Sequence, residues 1–325
     1  MSLYGAVAAA RRSLYARGVL KSESAPVPVV SVGNLTWGGT GKTPFVAALV
    51  SYWQSVGRRI GVASRGYGRR SRGTVVVSDG HRLLAGVAEA GDEPFLLGRR
   101  FPGAIVAVAE RRVDAAREAA RLGAEIVILD DAFQHLAIRR DLDVVLVDAA
   151  DPFGGGPPPR GRGREDASAI ARAHIVVVTR ACRGEESPAD RDVPGLTAAP
   201  IYHCAFRFAG WFRNGEPAAP PAAPGWAVCA VGNPESFRAT LAESGTAVAG
   251  FAAFRDHHAY SAADVRRIEE SARRAGATAL LTTEKDEVKL AGRTQLPLLA
   301  ARVEAEIFEA GFFADADRRL AGRSR

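Results

Sequence analysis

Eight consecutive residues have the types and spacing of a loop that binds phosphate. They are Thr36, Trp37, Gly38, Gly39, Thr40, Gly41, Lys42 and Thr43. Glycines let successive backbone N–H groups turn toward phosphate oxygens, a lysine adds positive charge, and a threonine hydroxyl can ligate Mg²⁺. Thr36 replaces the first glycine of the general pattern, so the start of the turn must be shaped differently. We predict nucleotide phosphate binding; the alternative is a tight glycine turn with an exposed lysine.

Lysine is rare in this chain. Only four of the 43 basic residues are lysines, namely Lys21, Lys42, Lys285 and Lys289. Arginine has replaced lysine almost wherever only positive charge matters, so a retained lysine is more often needed as a compact ammonium group. Lys42 and Lys285 lie inside candidate motifs, which favours a chemical role for both.

Two adjacent carboxylates follow a short apolar run. Asp130 and Asp131 come directly after 126–129, which has the composition of a buried strand. A carboxylate at the end of such a strand, beside a phosphate loop, is the usual second anchor for Mg²⁺. Because two adjacent aspartates cannot both be buried unpaired, a metal ion or an arginine must lie nearby. We expect at least one of them to serve the metal; the alternative is that Asp131 caps a turn.

Two other groups offer acid–base chemistry. Asp92 and Glu93 precede an apolar segment, where Asp92 is equally well interpreted as a helix N-cap or as a base or metal ligand. Asp256 stands beside His257 and His258, which together offer a base or relay that can titrate near neutral pH. Paired histidines also suggest zinc, but the sequence has no third and fourth ligand at a familiar spacing.

The segments that must position these residues predict an α/β fold. Continuous apolar runs fit strands that are covered on both faces, and they occur at 60–63, 74–77, 104–108, 126–129, 144–147 and 175–178. With helical stretches between them, they predict a P-loop NTPase-like, mostly parallel sheet flanked by helices. We place this domain at 25–198 and a second, smaller α/β domain at 199–325. The active site would lie in the cleft between them, and closure of that cleft would exclude water.

The N-terminus and the charge balance point to an anionic surface. Residues 1–24 place apolar side chains at helical spacing, but arginines interrupt the run before it could span a bilayer. We interpret this segment as a helix lying on an anionic membrane; the alternative is a helix that packs on the domain. The net charge of +7 favours anionic partners in general. Three widely spaced cysteines indicate neither a disulfide framework nor a zinc knuckle, which fits a reducing cytoplasm.

Taken together, the motifs resemble one enzyme family. They are SVGNLTWGGTGKTP at 31–44, SRGYG at 64–68, GDEP at 91–94, DDAFQH at 130–135, RDLDVVLVDA at 140–149, GNP at 232–234, FRDHH at 254–258 and TTEKD at 282–286. In this order they resemble the tetraacyldisaccharide 4'-kinase (lipid A 4'-kinase) family, over about residues 3–290. The chain departs from that family's pattern at Ala132, where we expect glycine, and in the Pro- and Arg-rich segment 157–164.

The resemblance implies a lipid kinase that uses ATP and Mg²⁺. Such an enzyme transfers the γ-phosphoryl group to the 4'-hydroxyl of a tetraacyldisaccharide 1-phosphate, at the cytoplasmic face of the bacterial inner membrane. It implies that Asp92 activates the acceptor hydroxyl with His257, His258 being the second choice, and that Lys42 completes the catalytic set. The implied metal residues are Thr43, Glu93, Asp130 and Asp131.

The implied partners are a lipid-linked disaccharide and an anionic membrane surface. Neither a nucleic acid nor an obligate protein partner is expected. A different class of protein, a P-loop NTPase acting as a nucleotide switch or metallochaperone, is the alternative. That alternative leaves Asp92 and the two histidines without a role. A kinase for a soluble small molecule is a third possibility, which lipid binding by the N-terminal helix would disfavour.

Overall fold

Thirteen strands form one sheet in the structure, a computed structural model that describes residues 3–322, with side chains from residue 5 onward. The strands are β1 Val29–Asn34, β2 Ile60–Ser64, β3 Val75–Asp79, β4 Ile105–Val108, β5 Ile126–Asp130, β6 Leu142–Asp148, β7 Ile175–Thr179, β8 Ile201–Arg213, β9 Glu216–Ala218, β10 Gly225–Cys229, β11 Val248–Ala253, β12 Leu280–Thr283 and β13 Leu298–Ile307. The helices are α1 Leu3–Ala16, α2 Lys42–Ser55, α3 Val87–Ala90, α4 Asp92–Arg100, α5 Arg112–Arg121, α6 Pro188–Asp192, α7 Pro234–Glu243, α8 Ala262–Arg274, α9 Glu284–Leu290 and α10 Gly311–Ala321, with short 3₁₀ turns at Ala167–Arg172 and Pro194–Leu196.

The sheet is mostly parallel. Its strand order is β11-β10-β12-β13-β8-β7-β6-β1-β5-β2-β4-β3, with β9 paired to β8. Among the strands of the described chain, antiparallel pairing occurs between β3 and β4, β8 and β9, and β8 and β13. The predicted α/β class with a mostly parallel sheet is confirmed. Strand β8 pairs with both β7 and β13, so the sheet runs without a break past residue 198. The division into two domains at that point stays a prediction.

Strand β1 lies at the point of the sheet where the connections change direction. It is buried along its whole length and pairs in parallel with β5 on one side and β6 on the other. Parallel neighbours end at the same edge of a sheet, and Val32 of β1 is in register with Asp130 of β5. Ligands of open α/β sheets bind outside the carboxyl ends of the strands at such a point. The phosphate loop and the paired aspartates therefore leave the sheet side by side.

Helix α2, which follows the phosphate loop, is fixed by the C-terminal helix α10. The ring of Phe45 in α2 packs edge-on against Phe312 in α10, with centroids 5.6 Å apart. Asp317 of α10 accepts hydrogen bonds from the Tyr52 hydroxyl at 2.7 Å and from the Trp53 indole N–H at 2.8 Å. The last helix of the chain thus holds the helix that presents the phosphate loop.

Helix α1 lies against the body of the protein but leaves apolar side chains exposed. Arg12 donates to the buried carboxylate of Glu165 at 2.9 Å. Val7 is 62% exposed and Leu14 41% exposed, and Val19, just beyond the helix, is 65% exposed. Over the residues that the structure describes, no helix is both long enough and apolar enough to cross a bilayer.

Candidate active site

The phosphate loop depends on a glycine immediately before α2. Gly41 has φ 81, the left-handed region that side chains disfavour. A Cβ atom added there would lie 1.9 Å from Cζ of Phe206, which belongs to β8. The absence of a side chain at Gly41 lets the backbone pass close to this ring. The loop then leads directly into the first turn of α2. The free N–H groups and the dipole of a helix N-terminus favour bound anions at this position.

The start of the loop is shaped by strand-like pairing. Thr36 forms an isolated antiparallel bridge with Gly163, and Trp37 N–H donates to the Arg162 carbonyl at 2.7 Å. Arg164 N–H donates in turn to the Leu35 carbonyl at 2.7 Å. The Pro- and Arg-rich segment 157–164 therefore covers the start of the loop. This pairing is the physical reason why the loop can begin without the usual first glycine.

Lys42 is held across the loop by a hydrogen bond that it donates to the last residue of β1. Its ammonium donates to Oδ1 of Asn34 at 3.3 Å and lies 3.6 Å from Oδ1 of Asp131. The amide of Asn34 also donates to the Thr40 hydroxyl at 3.0 Å. Asn34 thus ties the lysine to the middle of the loop. Sequence reasoning missed this residue, although its position as the last residue of a buried strand before the loop was a usable signal.

Asp130 is a buried carboxylate with an orphaned oxygen. The residue is 2% exposed, and its Oδ1 atom has no hydrogen-bond partner among the described residues. Burial raises the pKa of Asp130 to about 7, and the negative charges of Glu93 and Asp131 act in the same direction. A cation placed next to such a buried carboxylate strongly stabilises its ionised form.

Asp131, by contrast, is paired with cations. Its Oδ1 atom accepts from Arg164 at 2.6 Å, and Arg112 donates to its main-chain carbonyl at 2.8 Å. Burial alone would raise the pKa of Asp131, but Lys42 and Arg164 outweigh it and lower the pKa to about 2. Its φ of 50 turns the chain sharply after β5, so the two neighbouring carboxylates meet different surroundings. The sequence required a metal ion or an arginine beside these aspartates, and two arginines are present.

Asp92 and His257 meet although they are far apart in sequence. Asp92 is the first residue of α4, 6% exposed, and its Oδ2 atom lies 3.1 Å from Nδ1 of His257. His258 faces away and contacts Oδ2 of Asp264 at 3.1 Å. The structure thus pairs Asp92 with His257, the first of the two histidines considered. Tyr67, from the loop after β2, packs its ring 4.6 Å from the His257 ring.

Two lysines on α9 complete this cluster. Lys285 lies 3.1 Å from each of three groups, the carboxylates of Glu93 and Asp256 and Nε2 of His257. Lys289, one turn later, lies 3.7 Å from Asp92. Sequence reasoning did not place Lys289 in the site. The signal was available, since Lys289 is one of few lysines and follows Lys285 by four residues, on the same helix face.

These contacts set the charge of the Asp92–His257 pair. Burial by itself raises the pKa of Asp92, but the hydrogen bond from His257 and the charges of Lys285 and Lys289 outweigh it, so the net shift is downward. Burial lowers the pKa of His257, and the bond to Asp92 reverses this to a net rise. Asp92 is therefore ionised at neutral pH and can accept a proton.

A single cavity of about 1080 Å³ joins the phosphate loop to this cluster. From the loop side it is lined by Trp37, Gly38, Gly39, Thr40, Gly41, Lys42 and Thr43. From the other side it is lined by Glu93, His257 and Lys285, while Asp92 and Asp130 lie behind the lining. Thr36 lies at the covered start of the loop. The candidate donor and acceptor residues thus share one chamber.

Arginines that sequence reasoning did not assign also reach this chamber. Arg112, only 8% exposed at the start of α5, holds the turn after β5. Arg180 has φ 58 and donates to the Gly39 carbonyl and to Asp148. In an arginine-rich chain neither residue stands out, because each acts on a segment distant in sequence.

A loop of this geometry precedes a helix at the switch point of a mostly parallel sheet and faces buried carboxylates, which defines a nucleotide-binding protein of the P-loop class. The model of the tetraacyldisaccharide-1-P 4'-kinase family matches residues 1–321, and the chain belongs to this family. The resemblance seen in the motifs is thereby confirmed, and the family assignment favours a kinase over a nucleotide switch or metallochaperone.

Relatives and a solved structure agree with this assignment. The chain is 41% identical over 308 residues to a tetraacyldisaccharide 4'-kinase of Chlorobium luteolum, covering 90% of this chain and 86% of the relative. It is 42% identical over 317 residues to that of an Anaeromyxobacter species, covering 94% and 85%. The crystal structure of LpxK from Aquifex aeolicus in complex with ATP superposes with a TM-score of 0.77 at 31% identity, covering 99% of this chain and 96% of that chain.

Proposed function

We propose that this protein transfers the γ-phosphoryl group of ATP to the 4'-hydroxyl of a tetraacyldisaccharide 1-phosphate, with Asp92 as the base. The observation that carries the proposal is the shared chamber, in which His257 and Glu93 face Lys42 and Thr43. In the step, the acceptor oxygen forms a bond to the γ-phosphorus and the bond from that phosphorus to the β–γ bridging oxygen breaks. ADP leaves, and the hydroxyl proton passes to Asp92.

Asp92 suits this role because it is ionised, buried and oriented. A sugar hydroxyl is a very weak acid, and phosphoryl transfer depends mainly on positioning and charge, so a carboxylate that accepts the proton late is sufficient. Oδ1 of Asp92 accepts the backbone N–H of Glu93 at 3.0 Å, and Oδ2 faces His257. Lys42 stabilises negative charge on the transferring phosphoryl group from the opposite side.

The residues fit a Mg²⁺ ion held mainly by the nucleotide. No group of three or more His, Cys, Asp or Glu side chains able to hold a metal occurs within 3–322. Mg²⁺ in kinases needs only one or two protein ligands beside phosphates and water. We assign this role to Asp130, whose buried Oδ1 is orphaned, and to the Thr43 hydroxyl beside the loop. Glu93 and Asp131 would act on the ion by charge from within their ion pairs. When bound, the ion neutralises charge on the β- and γ-phosphates.

Helix α1 supplies a contact to the membrane that holds the acceptor. Its exposed Val7 and Leu14, with the exposed Arg11 and Arg17, match a helix that lies on an anionic lipid surface. We place the enzyme peripherally at the cytoplasmic face of the inner membrane. On the membrane these two exposed apolar side chains would be buried in lipid, each contributing roughly 1.5–3 kcal/mol. Changing both Val7 and Leu14 to Asp removes that contribution, so binding to anionic vesicles should fall at least about tenfold. Val56→Asp, at an exposed valine outside α1, is the control. Unchanged sedimentation of the α1 variant with vesicles would contradict the membrane role.

The decisive experiment follows labelled phosphate from ATP to a tetraacyldisaccharide 1-phosphate in detergent. Asp92→Asn should lower turnover by about 10²-fold or more while the protein still binds ATP. Asp192→Asn, at an exposed position, should leave both quantities unchanged. Label that appears only as inorganic phosphate would refute the kinase assignment. Loss of ATP binding in Asp92→Asn would move Asp92 from the role of base to the metal site.

A further inference from the structure

Lys285 occupies a position that the proposed reaction does not explain. It is the second residue of α9, and its side chain is 16% exposed. Its ammonium lies 3.1 Å from a carboxylate oxygen of Glu93, 3.1 Å from Asp256 and 3.1 Å from Nε2 of His257. Two of these contacts are ordinary ion pairs. The third joins the ammonium to an imidazole and fixes the state of that ring.

An ammonium group donates hydrogen bonds and cannot accept them. Nε2 of His257 must therefore be the acceptor of the Lys285 bond, and the proton of the neutral ring must sit on Nδ1. Nδ1 in turn lies 3.1 Å from Oδ2 of Asp92, an acceptor. Turning the ring over would bring carbon atoms against both partners, so only the observed orientation satisfies the two contacts.

We propose that Lys285 is a positioning residue that locks His257 in the Nδ1–H tautomer and thereby aims Asp92 at the acceptor hydroxyl. The proposal rests on the proposed role of Asp92 as the base. An imidazole can assist a carboxylate either by donating a hydrogen bond that orients it or by taking over the proton that the carboxylate has accepted. The proposal selects the first of these. The Nδ1–H group of His257 keeps its proton and donates a hydrogen bond that orients Asp92, while Nε2 accepts from Lys285. The hydroxyl proton therefore ends on Asp92 and is not passed on to the ring.

The surrounding structure is built to hold this lysine still. Thr283 caps α9 by accepting from Asp286 N–H at 3.1 Å, and Arg100 of α4 binds Glu284 at 3.3 Å. His257 itself has φ 58, a left-handed conformation that is unfavourable for a residue with a side chain. The bonds of Lys285 to His257 and to its neighbour Asp256 offset that cost.

Lys289 gives a matched comparison on the same helix. Its ammonium lies 3.7 Å from Oδ2 of Asp92 and 2.7 Å from Oδ1 of Asp286, and within the described residues it makes no hydrogen bond or ion pair with the imidazole. It therefore supplies positive charge to Asp92 without selecting the tautomer. Lys285→Met and Lys289→Met each remove one positive charge that acts on Asp92. Only Lys285→Met removes the donor to Nε2 of His257.

The direct test is nitrogen NMR of the full chain with ¹⁵N-labelled histidine, at alkaline pH and without nucleotide. The His257→Gln variant identifies the His257 signals among the six histidines. We expect the wild type to show a protonated Nδ1 and an unprotonated Nε2. Lys285→Met should lose this preference, whereas Lys289→Met and Lys21→Met should keep it. A wild-type ring protonated on Nε2, or a Lys285→Met ring that keeps Nδ1–H, would overturn the proposal.

Kinetics add a readout that a purely structural role would not give. Lys285→Met should lower kcat by about 10–100-fold with KM for ATP changed far less, and Lys285→Arg, which keeps the charge but moves the donors, should recover part of the loss. Equal loss in Lys285→Met and Lys289→Met would show that charge alone matters and would refute the tautomer role. The wild-type spectrum does not depend on turnover, so it tests this inference even if Asp92→Asn overturns the proposed function.

Discussion

Gly41→Ala should weaken ATP binding much more than it weakens the fold. Gly41 has φ 81, and an added Cβ would lie 1.9 Å from Cζ and 2.2 Å from Cε2 of Phe206. The substitution therefore has two separate costs. One is the left-handed backbone conformation, and the other is the overlap with the ring.

The two costs act on different quantities. A left-handed alanine costs roughly 1–2 kcal/mol whether or not nucleotide is bound, so it lowers the free energy of unfolding by that amount. The overlap can be relieved by a shift of the loop away from Phe206, which takes the N–H groups off the phosphates. Forced overlaps of this kind typically cost about 1–3 kcal/mol, and binding must restore the strained position. At 1.4 kcal/mol per tenfold, ATP affinity should fall by about 10–100-fold.

The assay is a titration with a fluorescent ATP analogue, combined with chemical unfolding. Gly57→Ala is the matched control, because Gly57 has φ 80 and an added Cβ would meet nothing within 4 Å. The Gly57→Ala variant should lose about as much free energy of unfolding as the left-handed conformation costs in Gly41→Ala. Its affinity for ATP should be unchanged. Phe206→Ala removes the ring, so combined with Gly41→Ala it should restore most of the lost affinity, judged against Phe206→Ala alone. Wild-type affinity in Gly41→Ala, or no recovery in the double variant, would refute the reasoning.

Two other predictions concern the parts that support the site. Asp317→Ala removes the acceptor of both aromatic donors of α2, so the free energy of unfolding should fall by about 1–3 kcal/mol in chemical denaturation; an unchanged value would contradict the role given to α10. His203 lies between Asp190 at 2.7 Å and Glu309 at 2.6 Å; burial lowers the pKa of His203, but these bonds outweigh it and the net shift is upward. Its contribution to stability is therefore complete below about pH 6.5 and is lost as the pH rises through the folded pKa. The melting temperature of the wild type should exceed that of His203→Gln at pH 6 and approach it at pH 9, and a constant difference would show that the charge of His203 is not involved.

What the sequence could predict is what lies close together along the chain. The phosphate loop is read from residues 36–43 because backbone turns and a helix start depend on neighbouring residues. The apolar runs coincide with strands because a strand buried on both faces leaves a continuous signal. Asp130 is recognisable because it ends such a run. The pairing of Asp92 with His257 was expected only through the resemblance of the motifs to a family.

What the sequence could not predict is what bridges distant segments. The bonds of Thr36 and Trp37 to the 157–164 segment explain the altered loop, yet nothing local marks that segment as a partner. The orphaned Oδ1 of Asp130 and the ion pairs of Asp131 differ because of where Arg164 and Lys42 reach, which depends on the completed fold. Two adjacent aspartates look alike in sequence and become different groups only after folding.

The two halves of the site are consequently held by different forces. The donor half is held mainly by backbone hydrogen bonds within β1, the loop and α2 and across to the 157–164 segment, and such bonds depend little on salt. The acceptor half joins α4, the 254–258 loop and α9 through partly buried ion pairs, among them Arg100 with Glu284 and Lys285 with Glu93. Ion pairs weaken as their surroundings become wetter or their partners are lost. Perturbations of charge should therefore act on proton transfer at Asp92 first, while nucleotide binding at the loop persists.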